Sequence, residues 1–142
     1  MGFLNWFKSN PDEVQESQLD LFGNSTELTR RERVDGATVR NDFTKAIQDK
    51  GGDEKAQRDS TEAMTRSLFD CNTKELYQGT GAKKGDRSTL PNEAQKAYIV
   101  GETVATHDLK AKDIQGSQQQ KNLKIVDSVR DSSQKARGLF PW

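Results

Sequence analysis

Among its 142 residues the chain has one cysteine, one histidine and three prolines, and each scarcity excludes something. Cys71 alone cannot close an internal disulfide, which fits a reducing compartment. With His107 as the sole imidazole and Cys71 as the sole thiol, no zinc site of the usual ligand count can be assembled. His107 and Asp108, adjacent on a helix, cannot face each other as a base and its orienting carboxylate would. No apolar run approaches the roughly 20 residues that span a bilayer, and Phe3 to Phe7 is too short for a signal-peptide core. A cytoplasmic protein with no membrane partner is expected. No stretch alternates with period two over a convincing length, so no sheet is expected either.

Apolar side chains are also few, at 31%, and the mean hydropathy is −0.97. A chain of this length holds one folded unit with tails, which rules out a multidomain enzyme. The 22 basic and 22 acidic residues cancel, so self-repulsion does not force the chain open. The same balance argues against strong nonspecific binding to nucleic acid.

What is present is unevenly placed. Phe3, Trp6, Phe7 and Phe22 lie near the N-terminus and Phe140 and Trp142 near the C-terminus. Phe43, Phe69, Tyr77 and Tyr98 are left for the body. Around the first group, Lys8 stands against Asp12, Glu13, Glu16 and Asp20. Apolar groups in an acidic, polar setting suit a flexible tail over residues 1 to 30 that docks on something, with 31 to 138 as a helical domain and 139 to 142 as a short apolar tail. The competing reading folds these aromatics back onto the chain's own thin core.

The body reads as helices punctuated by glycine. Val39, Phe43 and Ile47 predict a helix over 37 to 50, with Asp35 in the cap region and Gly51-Gly52 closing it. Ala56, Ser60, Ala63, Met64, Ser67 and Leu68 mark one face of a helix over 54 to 69. A short turn over 73 to 78 follows, capped by Asn72 and ended by Gly79. Pro91 opens a helix over 91 to 111 with Ala94, Ala97, Tyr98, Gly101, Val104, Ala105 and Leu109 on one stripe, where Gly101 suggests that another helix passes close. The last helix, over 117 to 137, turns Leu123, Val126, Val129, Ser133 and Ala136 inward. Its outer side carries Lys121, Lys124, Arg130, Lys135 and Arg137 against Asp127 and Asp131. The expected fold is all-α, a small bundle of four to five helices with a flexible N-terminal tail.

The order of residues Arg40-Asn41-Asp42-Phe43-Thr44-Lys45-Ala46-Ile47, then Thr61 through Phe69, Thr73-Lys74-Glu75-Leu76 and Lys83 through Pro91, resembles the helical C-terminal region of the DNA-damage-inducible protein D family. The likeness covers about residues 37 to 111. It implies a bacterial or phage setting and a link to replication or the damage (SOS) response, and it implies no catalytic residue.

Two segments point to binding. Gly79 through Ser88 is glycine-rich and basic, but it is neither G-x-x-x-x-G-K-[ST] nor G-x-G-x-x-G, and no strand leads into it, which argues against a nucleotide cradle. It is either a solvated connection or a phosphate-contacting loop using Lys83, Lys84 and Arg87. Gln18-Leu19-Asp20-Leu21-Phe22 is more specific. It looks like the bacterial sliding-clamp-binding motif, in which Gln, Leu, a small polar or acidic residue, Leu and Phe follow in order, and all five positions agree. In that motif Leu21 and Phe22 would fill the deeper of two apolar pockets, Leu19 the shallower one, and the Gln18 amide would bond at the rim. The expected function is therefore docking on the DNA polymerase III sliding clamp, without enzymatic activity, cofactor or metal. The alternative is a nucleic-acid-binding or antirepressor-like helical module. Oligomeric state is left open.

Overall fold

The computed structural model describes residues 2 to 9 and 30 to 142, and these are all-helical. Helix α1 spans Phe3–Ser9, α2 Arg30–Asp49, α3 Glu54–Phe69, α4 Thr73–Thr80, α5 Asn92–Lys110 and α6 Gln118–Arg137, with one 3-10 turn at Arg87–Thr89. Six α-helices among the described residues are one more than the periodicities predict, and the additional one is α1.

Local chemistry explains the boundaries. The Asp53 carboxylate accepts from the Ala56 N–H and starts α3. Asn72 with Glu75, and Ser117 with Gln120, form reciprocal capping boxes at the starts of α4 and α6. Two boundaries differ from expectation. Helix α2 begins at Arg30, so Asp35 lies within it rather than capping it. Helix α4 runs through Gly79 to end at Gly81, which takes the left-handed conformation at φ 73°. Gly79 is instead a contact point: a Cβ there would stand 2.7 Å from Leu4 Cδ2, so its lack of a side chain lets α1 lie across α4.

Long-range bonds give the helix directions. Arg40 meets Glu102 and Lys50 reaches the Lys112 carbonyl, so α2 and α5 run parallel. Thr65 meets Tyr98 across α3 and α5. Asp108 meets Ser132 and Lys112 meets Ser128, so α5 and α6 run antiparallel. Asn122 bonds Asp53 and Arg137 pairs with Asp70, so α3 and α6 run parallel. Four helices thus form the bundle, and α5 touches the other three. Gly101 is the point of closest approach: a Cβ there would lie 3.1 Å from Leu68 Cδ1 and 3.2 Å from Met64 Sδ, as its place on the apolar stripe suggests. On α6 the buried serines Ser128, Ser132 and Ser133 narrow the face toward its neighbours, and Ser133 returns its hydroxyl proton to the carbonyl four residues back.

The bundle's end near Phe69 is closed by the chain's outer segments. Phe3 is fully buried, with its ring 4.8 Å from Trp142 and 5.1 Å from Phe69, both edge-on. Trp6 lies 5.2 Å from Trp142, whose indole N–H donates to the Leu68 carbonyl at 2.6 Å. These contacts correct the tail reading for Phe3 to Ser9 and for Trp142, because a thin core leaves aromatic surface on Phe69 and Tyr98 for the outer segments to cover. Helix α6 brings a second correction. Its buried face holds Ile125, Ser128, Val129, Ser132, Ser133 and Ala136, while Leu123 is 59% exposed. At about 100° per residue, Ile125 and Leu123 lie on nearly opposite faces, and the stripe from Ile125 continues through Val129, Ser132 and Ala136 at helical spacing.

Candidate functional site

Gln18, Leu19, Asp20, Leu21 and Phe22 lie outside the described residues. The other predicted group divides. Lys83 and Lys84 are exposed on the connection between α4 and α5, which the 3-10 turn organises. The Asp86 carboxylate accepts from the Ser88 N–H and hydroxyl, and these bonds hold its pKa below the usual value. Thr89 accepts from the Lys83 N–H at 2.8 Å. Arg87 turns away from the two lysines and inward, donating to Glu102 Oε1 at 2.9 Å with its guanidinium 4.0 Å from the centre of the Tyr98 ring. The structure therefore does not bring Lys83, Lys84 and Arg87 together as one exposed cationic group.

Glu102 is the group that sequence periodicity misses. Its side chain is 1% exposed, and Arg40 donates to Oε2 at 2.6 Å while Arg87 holds Oε1. Each arginine side chain is about a third exposed, so the carboxylate is buried under two partly solvated residues. Arg40 also donates to Thr61 Oγ1 and lies over the Phe43 ring. Next to this triad, the Thr65 hydroxyl has one proton, which goes to the Thr61 carbonyl at 2.9 Å, so Tyr98 donates to Thr65 at 2.7 Å. Burial pushes the Tyr98 phenol up to about 12. Thr73 and Glu62 extend the network to the start of α4. Arranged this way, the polar groups tie α2, α3, α4, α5 and the basic connection into one unit. The signal lay in the sequence: Glu102 follows Tyr98 by four residues and precedes Ala105 by three, an acid inside an apolar stripe.

Elsewhere, burial and then Glu75, Asp70 and Glu62 push the half-buried Cys71 thiol up to about 11, which makes it a poor nucleophile. Asp108 accepts from Ser132 at 2.6 Å, which lowers its pKa, and His107 is largely exposed beside it. Among the described residues no group of three or more His, Cys, Asp or Glu side chains is arranged to hold a metal ion, and no helix is long and apolar enough to cross a membrane. A surface groove of about 710 Å³ lies between α3 and α6, with Ala63, Leu123 and Val126 among its lining residues.

No family model, curated protein or solved structure matches the chain.

Proposed function

We propose that the protein is an accessory factor of DNA replication or the damage response that docks on the DNA polymerase III sliding clamp through Gln18 to Phe22. The observation that carries this reading is the pentapeptide itself, five consecutive positions in the motif's order, which average residue usage would produce in a chain of this length only on the order of a few times in ten thousand. Its setting supports it. Acidic and polar residues from Asn10 to Ser17 precede the motif and Gly23-Asn24-Ser25-Thr26 follow it, a composition suited to a linear peptide. The order of residues that resembles the DNA-damage-inducible protein D family points to the same physiology. The outer aromatics Phe3, Trp6 and Trp142 are spent on the bundle and so are not a second docking element.

Leucine and phenylalanine contribute roughly 1.5 to 3 kcal/mol each when fully buried. Three such side chains contribute roughly 4.5 to 9 kcal/mol before the cost of ordering the peptide, so an affinity near micromolar, about −8 kcal/mol, needs the upper end of that range together with the Gln18 hydrogen bond at the rim. A peptide covering residues 14 to 25 should bind the isolated clamp and displace a polymerase peptide from the same groove. Leu21 and Phe22 replaced together by Ala should abolish binding in the peptide and in the intact protein, whereas Asp20→Ser should be tolerated. Binding without displacement, or an Ala variant that binds like wild type, would refute the reading. A nucleic-acid module is the second reading, resting on Lys83 and Lys84, which are exposed and free to meet phosphate. The engagement of Arg87 with Glu102 weakens it.

A further inference from the structure

Glu102 holds two cations with one negative charge. Arg40 on Oε2 and Arg87 on Oε1 leave the triad with an uncompensated positive charge, and because the carboxylate is buried while both arginines are partly exposed, that charge faces water. A guanidinium has five N–H donors. Arg40 engages one on Glu102 and one on Thr61, and Arg87 one on Glu102, so each keeps donors with no hydrogen-bond partner among the described residues. Both side chains are also held in place, Arg87 over the Tyr98 ring and Arg40 over the Phe43 ring, which lowers the ordering cost of receiving an anion.

Tyr77 on α4 adds a third donor. Its side chain is more than nine-tenths buried, yet the hydroxyl has no hydrogen-bond partner among the described residues and is not sealed from water. Burial pushes the phenol up while the Arg87 and Arg40 charges act on it in the opposite sense, so it lies within electrostatic reach of both guanidiniums. The carboxylates nearby are otherwise engaged. Asp86, which also acts on Tyr77, accepts from the Ser88 N–H and hydroxyl, and Glu62 accepts from Thr73.

We propose that Arg40, Arg87 and Tyr77 form a binding site for a terminal phosphate group, seated over the Glu102 carboxylate. All three groups donate, which selects an acceptor, and the uncompensated charge selects an anion. A terminal phosphate presents three free oxygens, one for each donor side chain, where a carboxylate or a phosphodiester presents two. Guanidinium forks pair with phosphate oxygens at least as well as with the carboxylate they already hold. The bearer is a small phosphomonoester or the phosphorylated end of a nucleic-acid strand, one chemistry with two sources. The inference stands apart from the clamp reading and does not use Lys83 or Lys84.

Titration of the full chain with sodium phosphate at constant ionic strength, followed through the Arg40 and Arg87 Nε–H signals by heteronuclear NMR, tests it. Both signals should move saturably in the millimolar range, and sodium acetate should not reproduce the shift. Tyr77→Phe, which removes a hydroxyl that no protein group uses, should weaken phosphate binding about threefold and leave the urea midpoint unchanged. Arg40→Gln and Arg87→Gln should each weaken it about tenfold, whereas Lys83 and Lys84 replaced together by Gln should change it less than about twofold. Far-UV circular dichroism confirms that each variant is folded, and Tyr77→Phe keeps the test decisive if an arginine variant is not. An end-phosphorylated oligonucleotide that binds more tightly than its hydroxyl-ended counterpart assigns the phosphate to a strand end. Equal binding of the two beside saturable free phosphate assigns it to a small phosphomonoester, and either result supports the site. No saturable shift up to about 50 mM phosphate, acetate acting equally, Tyr77→Phe binding like wild type, or binding lost with the two lysines would overturn the proposal.

Discussion

Replacing Phe3 by Ala tests whether α1 belongs to the folded unit. The ring is fully buried and contacts Phe69 and Trp142 edge-on and Phe7 in a stack. Losing the buried surface of a phenylalanine costs about 2 to 3 kcal/mol, and the cavity and lost ring contacts bring such truncations to about 3 to 5. Helix α1 has seven residues and packs on α3 and α4 at the end of the bundle, so it can lift away as a unit and leave no cavity in the bundle. The loss then stops at the free energy of docking α1, which puts the expected value near the lower end, about 3 kcal/mol. Urea unfolding followed by tryptophan emission is the assay, because Trp6 and Trp142 both report on this cluster. In a double-mutant cycle with Trp142→Ala the two changes should couple by about 0.5 to 1.5 kcal/mol. A loss below about 1 kcal/mol with no coupling to Trp142 would refute the clasp.

Glu102→Gln leaves Arg40 and Arg87 without a countercharge, but both are partly solvated and relax toward water, so thermal and urea unfolding should show a loss of about 2 kcal/mol rather than the 3 to 5 of a deeply buried pair. At Gly101, alanine gains about 1 kcal/mol of helix propensity against close contacts with Leu68 and Met64 and should stay near wild type, whereas valine should lose about 1 to 3 by forcing those side chains apart, as thermal melts would show. Because the Ser132 bond lowers the folded-state pKa of Asp108, its stabilisation is present above the usual value of 3.8 and disappears as pH falls through the lower folded value. The stability gap between wild type and Ser132→Ala should therefore narrow on acidification below 3.8, and a gap independent of pH would refute the assignment.

The helical body was legible because helix starts and stops are written in local chemistry. Asp53, Asn72 and Ser117 cap the helices they precede, and the stripes on α3 and α5 bury all the residues that their spacing selects except Ser67 and Val104, which are half-buried. Legibility failed where two stripes compete. On α6 the series through Leu123 and Val126 and the series through Ile125 and Val129 both have helical spacing, and the choice depends on which face α3 and α5 can reach. Periodicity cannot decide that, because it holds no information about a neighbour. Gly79 was misread for the same reason: a glycine near a helix end looks like a stop until Leu4, 75 positions earlier, is found against it. Glu102 failed differently, since an acid is set aside as surface unless its cations, 62 and 15 residues away, are known.

For the candidate site, the contrast between the outer aromatics and the pentapeptide is physical. Phe3, Trp6 and Trp142 looked as free as Phe22 by composition, yet each has an edge or a polar handle that the bundle can satisfy: Phe69 presents its ring to Phe3, and the Leu68 carbonyl takes the Trp142 indole proton. Tryptophan buried without such an acceptor would give up about 1 to 3 kcal/mol of what its surface returns, so the Leu68 carbonyl at the end of α3 favours this placement of the C-terminal segment. Apolar residues alone do not distinguish a docking peptide from a missing piece of core. On the proposed clamp reading an ordered string of side chains carries a test at each position: truncating Leu21 and Phe22 should cost binding to the clamp, while truncating Phe3 should cost stability and leave the clamp affinity of the folded, intact protein unchanged.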